Sequence, residues 1–141
     1  MKQHYHLPHP RLTKRGLPDV VFTDPQLAQP GMTEAQALAA WISAIVDCSG
    51  SRTCRADPST TTRAVPSSSW RIDKTGKVLG VHALADGAGD LILAGVYAIK
   101  FGLTVNDLAT TWVPYLTMSE ALRLVAQSFH HPVDQLSCCA A

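Results

Sequence analysis

Long apolar runs are missing from this chain: nothing in it approaches the roughly 18 consecutive apolar residues of a membrane-spanning helix. The opening Met-Lys-Gln-His-Tyr-His-Leu-Pro-His-Pro also lacks the apolar centre of a signal peptide. The expectation is a cytoplasmic protein with no membrane partner. An excess of one charge is missing too. The net charge is +1 and the basic residues are scattered, so no electrostatic stripe argues for nucleic acid. Cysteine is sparse, with four residues at Cys48, Cys54, Cys138 and Cys139. Their spacing fits neither a zinc site nor a secreted disulfide framework, so reduced thiols are expected. With 141 residues, 46% of them hydrophobic, the chain is long enough for one domain with a real core and too short for two of ordinary size.

What is present is concentrated at the end. Cys138 and Cys139 are sequence neighbours with only Ala140 and Ala141 after them. A disulfide between adjacent residues closes a small strained ring, removes little unfolded-state entropy and is a poor staple. Thiolate sulfur is the ligand that soft ions select, so the pair reads as a soft-metal site, against the plain alternative of a frayed tail with incidental thiols.

Along the chain, residues 1–17 carry His4, His6 and His9 among prolines and basic residues, with no apolar period, and read as a disordered arm. Val20-Val21-Phe22 reads as a short buried strand closed by Thr23-Asp24-Pro25. Thr33 to Gln36 fits a capping box opening an alanine-rich helix that runs to about Trp41. Residues 41–71 change composition abruptly to serine, threonine, arginine and proline and are expected to be irregular. The turn Asp73-Lys74-Thr75-Gly76 precedes a strand over residues 77–84 and implies a hairpin partner just upstream. Residues 88–101 are apolar nearly all round and stop at Gly102, as a buried helix does. Thr104 is placed to cap a short helix through Asp107 to Thr110. Thr117 to Glu120 reads as a second capping box, with Leu122, Val125, Ala126 and Phe129 keeping the helical period behind it and Pro132 beyond. The fold class is α+β, a small and mostly antiparallel sheet with helices packed on it. The domain spans residues 18–131, and residues 132–141 form a metal-binding tail.

Three segments carry a family resemblance: Val20-Val-Phe-Thr-Asp-Pro-Gln26, Lys77-Val-Leu-Gly-Val-His-Ala83, and Pro114-Tyr-Leu-Thr-Met-Ser-Glu120 running on to Asp134-Gln-Leu-Ser-Cys-Cys-Ala140. Together they resemble the C-terminal dimerisation domain of the flavin-dependent pyridine nucleotide-disulfide oxidoreductases, and within that group the mercuric reductases. In most relatives a histidine in a His-Pro-Thr motif is paired with a glutamate five positions later and serves as acid and base for the partner subunit. Here Tyr115 stands at the histidine position and Glu120 follows five later. Tyrosine there, with adjacent cysteines at the end, is what mercuric reductases look like.

The resemblance implies reduction of Hg(II) to elemental mercury by NADPH through FAD. Cys138 and Cys139 would take the ion as a bis-thiolate and pass it to a redox-active cysteine pair in the other subunit of a homodimer, or in a full-length reductase subunit. Tyr115 and Glu120 are the candidate catalytic residues. Each has a plain alternative, Tyr115 as core with its hydroxyl at the surface and Glu120 as a helix cap. His82 reads as a packed or edge histidine. His130 and His131 read as helix-end residues favoured by the macrodipole. No glycine-rich dinucleotide fingerprint and no Cys-x4-Cys pair occur, so the sites for FAD, NADPH and the reducing centre are absent and the chain alone is expected to be inactive. The rival expectation is a free-standing soft-metal thiol module or an inactive dimerisation remnant.

The aberrant stretch has a genetic reading. If codons are rebuilt from the last base of each and the first two of the next, residues 52–56 can encode Asn-Val-Pro-Arg, which mercuric reductases resemble here. Residues 61–70 can likewise give Asp-Thr-Arg-Gly-x-Ile-Lys-x-Val, a hairpin strand. Residues 41–71 are therefore expected to be translated one nucleotide out of register, with Cys48 and Cys54 as accidents of that frame.

Overall fold

Alternating small and branched residues between Val78 and Ala85 decide the architecture, because this segment is the middle strand of a five-stranded antiparallel sheet in the computed structural model. The structure describes residues 16–40, 45–49, 67–72, 74–115 and 117–131. In chain order the elements are β1 (Pro18–Val21), β2 (Gln26–Pro30), α1 (Glu34–Ala39), β3 (Ile45–Ser49), β4 (Ser67–Ile72), β5 (Val78–Ala85), α2 (Ala88–Phe101), α3 (Val105–Ala109) and α4 (Glu120–Ser128). The strands lie side by side as β1-β2-β5-β4-β3. Helix α2 crosses β5, β2 and β1, and α4 packs on β3, β4 and α3. This is the α+β arrangement that the sequence pattern implies.

Period-two alternation gives β5 two different faces. Val81, Ala83 and Ala85 are buried in one cluster with Leu91, Ile92 and Ile99 of α2 and with Leu122 and Val125 of α4. On the opposite face His82 is half-buried and Leu84 is exposed. The close fit on the buried face depends on Gly95 of α2, where a Cβ would stand 3.2 Å from the Val81 side chain. At the other edge of the contact Gly31 and Gly80 form an isolated bridge, and a Cβ on Gly80 would collide with the Met32 carbonyl oxygen.

Local signals place the ends of the elements. Thr33 and Gln36 form the expected capping box, with the Thr33 hydroxyl accepting from the Gln36 N–H at 3.3 Å and the Gln36 side chain accepting from the Thr33 N–H at 2.9 Å. Helix α1 ends at Ala39, and Trp41 lies outside the described residues. Gly102 closes α2 at φ 66°, with Leu103 N–H returning to the Ala98 carbonyl at 2.9 Å. Thr104 caps α3, and the hairpin partner expected upstream of the 74–76 turn is β4.

Four expectations need correction. Residues 41–71 are not irregular throughout, since 45–49 and 67–72 form β3 and β4. Ladder hydrogen bonds are made by the backbone, so any non-proline run can form them next to a strand that is already well placed. Strand β1 is an edge strand and is not buried: Val20 is half-covered, and Phe22, just beyond the strand, is 81% exposed. Helix α2 is buried on one side only, since Leu93, Tyr97 and Phe101 face outward. The second capping box does not form. Thr117 Oγ1 donates to the Pro114 carbonyl at 2.8 Å, Glu120 N–H is taken by the Thr117 carbonyl at 3.0 Å, and α4 starts at Glu120 with no side-chain cap from Ser119. Glu120 is thus a first-turn residue and not the third-position partner that a capping box needs.

Candidate functional site

The connection from α3 to α4 carries the expected catalytic pair. It is tied down at both ends. Thr110 Oγ1 donates to the Asn106 carbonyl at 2.8 Å and Thr111 Oγ1 to the Asp107 carbonyl at 2.6 Å, while Thr117 closes a turn onto Pro114. Arg123 Nε and Gln127 Nε2 of α4 both donate to the Ala109 carbonyl at 3.4 Å, which locks the two helices together. On this frame Tyr115 is 66% exposed, so the reading that makes it core is excluded. Glu120 is 5% exposed at the start of α4, where the helix dipole favours a carboxylate. The two residues are brought to one connection but to opposite environments.

Beside this connection lies a cleft of about 410 Å³ between the first half of α2 and the start of α4, with Asp90, Leu93, Ala94, Tyr97, Met118 and Ser119 in its walls. Its α2 wall continues into the outward stripe of Leu93, Tyr97 and Phe101, at helical spacings of four. The Tyr97 and Phe101 rings are 6.2 Å apart, and Lys100 Nζ lies 5.5 Å over the Phe101 ring. Sequence reasoning missed this surface. Residues 88–101 are apolar on both sides, and periodicity cannot say which of two apolar faces the fold covers.

The remaining candidates divide plainly. His82 is packed: Nε2 donates to the Met32 carbonyl at 3.1 Å and Nδ1 lies 3.3 Å from the Gln29 side-chain oxygen. His130 and His131 are exposed just past α4, and their backbone N–H groups bond to the Gln127 carbonyl. Cys138, Cys139, Cys54 and the histidines at 4, 6 and 9 lie outside the described residues. Among the described residues no group of three or more histidine, cysteine or acidic side chains is placed to hold a metal ion, and no helix is long and apolar enough to cross a membrane. One ionisable group is visibly tuned: the Thr104 hydroxyl and then the Thr104 N–H, both bonded to Asp107, hold its carboxyl below the usual carboxylate range.

The described residues do not form the dinucleotide-binding fold that takes a flavin or nicotinamide dinucleotide. In that fold the diphosphate sits at a free helix N-terminus following a strand of a parallel sheet. At the start of α2 the Gly89 N–H is already taken by Gln26 Oε1 at 3.0 Å, with Val20 packed beside it, and every strand pairing in the sheet is antiparallel.

Comparison with known proteins bears on what such a unit does. Residues 17–126 match the family model for the pyridine nucleotide-disulphide oxidoreductase dimerisation domain. The mercuric reductase of Streptomyces lividans is 49% identical over 125 residues, covering 88% of this chain and 26% of that protein. The mercuric reductase of Bacillus cereus is 40% identical over 127 residues, covering 88% of this chain and 20% of that protein. The chain therefore spans about a quarter of the length of such relatives. Among solved structures, LpdA from Mycobacterium tuberculosis superimposes with a TM-score of 0.73 at 26% identity, over 85% of this chain and 26% of that one. The flavoprotein disulfide reductase RclA from Escherichia coli does so with a TM-score of 0.66 at 28% identity, over 77% and 25%.

Proposed function

Because the chain belongs to the pyridine nucleotide-disulphide oxidoreductase dimerisation-domain family, we propose that it is the subunit-pairing and metal-delivery part of a cytoplasmic mercury(II) reductase. In this reading it forms a homodimer, or pairs with a full-length reductase subunit, through the outward stripe of α2. The observation that supports the reading is Tyr115, 66% exposed on an anchored connection whose far end, Met118 and Ser119, walls a cleft shared with that stripe.

Cys138 and Cys139 bind Hg(II) as a bis-thiolate. Exchange at a soft ion proceeds by adding an incoming thiolate before an old one leaves, so the pair hands the ion to thiolates of the partner without releasing it to water. Tyr115 presents its hydroxyl to the ion in the partner's site, and Glu120 holds a carboxylate at the base of the same connection. The NADPH and FAD of the complete reaction belong to the part of the relatives that lies outside this chain, and the chain alone does not turn over.

The test is direct. One Hg(II) is expected to bind per chain in equilibrium dialysis against a competing thiol, and the double substitution Cys138→Ser/Cys139→Ser is expected to lose it. Unchanged affinity in the double variant overturns metal delivery. Hg(II)-dependent oxidation of NADPH by the purified chain overturns the claim that it is catalytically incomplete.

A further inference from the structure

Trp112 is the most exposed large apolar residue in the described structure, at 93%, three positions before Tyr115 in the connection between α3 and α4. A tryptophan can bury roughly 200 Å², and this one contributes nothing to the core cluster. The connection that carries it is held at both ends, by Thr111 on Asp107 at 2.6 Å and by Thr117 on Pro114 at 2.8 Å. The indole is therefore presented outward from a fixed backbone. Residues 112–117, Trp-Val-Pro-Tyr-Leu-Thr, contain no charged side chain, so the segment can leave water without stranding a charge. At its far end Met118 and Ser119 form a wall of the cleft shared with Leu93 and Tyr97 of α2, which makes the connection continuous with the stripe assigned to pairing.

We infer that Trp112 is an anchor of the subunit interface: on pairing, its indole leaves water and seats against the second copy, fixing the connection that presents Tyr115 there. This rests on the homodimer reading above. Tryptophan is the residue type most enriched among interface positions that carry large shares of binding energy.

The chain holds three tryptophans, so Trp112 emission is isolated as the difference between the parent chain and Trp112→Phe at equal concentration. Both proteins are followed through a dilution series by fluorescence and by sedimentation velocity. As the chain pairs, the difference spectrum is expected to move to shorter wavelength and acrylamide quenching of it to fall severalfold. Trp112→Ala is expected to raise the dimer dissociation constant by about 30-fold, and Trp112→Phe by less. The melting temperature of the dilute monomer is expected to stay unchanged in both, and a lowered value would reassign Trp112 to folding and overturn the inference. If the chain pairs while Trp112 emission and quenching stay constant, the inference is overturned and the homodimer reading stands. If the chain is monomeric at every concentration, both are overturned.

Discussion

Thr104 and Asp107 show how much a single residue pair can set. The Thr104 hydroxyl accepts from the Asp107 N–H at 3.2 Å, and the Asp107 carboxylate accepts from the Thr104 N–H and hydroxyl, each at 2.7 Å. These bonds favour the charged carboxylate and lower its folded-state pKa below the usual carboxylate range. A depressed folded pKa contributes stability that is present above the unfolded value and is lost as pH falls through the folded one. Relative to Asp107→Asn, the parent chain is therefore expected to be more stable at neutral pH, with the difference fading below about pH 4. Urea denaturation of both proteins across pH 2 to 7 checks this. Thr33 and Thr104 were legible as caps because a capping box is wholly local. Thr117 was misread for the opposite reason: its hydroxyl is drawn back to the Pro114 carbonyl, a partner that the spacing rule does not consider.

Elements were legible where one periodicity was uncontested. Strand β5 and the ends of α2 follow from branched residues and from Gly102, whereas β3 carries no apolar alternation that would announce it and β4 is announced only by the turn that follows it. They exist because β5 offers β4 a backbone edge, and β4 in turn offers one to β3. We propose that residues 41–71 are translated out of frame and that these backbone edges are what would still let such a stretch pair. Sequencing of the gene is expected to find the Asn-Val-Pro-Arg codons in the alternative frame across residues 52–56, and their absence would end the idea. The opposite sensitivity holds at the bridge between β2 and β5. Gly80→Ala places a methyl against the Met32 carbonyl, which is backbone and cannot swing aside. A loss of about 3 kcal/mol is expected, read as a lowered urea midpoint with an unchanged slope.

For the molecule as a whole, the sequence disclosed the fold class and the residues of the connection, but not the exposed surface beside them. Tyr115 and Glu120 could be named from spacing and resemblance, whereas the stripe of Leu93, Tyr97 and Phe101 emerged only when α2 was seen to cover the sheet with its other side. If that stripe pairs subunits, the melting temperature of the chain is expected to rise with concentration, as linkage to association requires. Tyr97→Glu is expected to abolish the rise and leave the dilute-limit value within a degree or two, because Tyr97 is half out of contact already. Differential scanning fluorimetry over a hundredfold range of concentration decides it.

Strand order has a last consequence, for synthesis. The middle of the sheet, β5, is the last of the described strands to be made, and it joins the β1–β2 ribbon to the β3–β4 ribbon. Until it leaves the ribosome the nascent chain holds two separate ribbons, each too small to persist alone in water. A product terminated before Ala85 therefore has nothing to lock onto and is prey for proteases, while release of the α2 segment completes both sheet and core in one step.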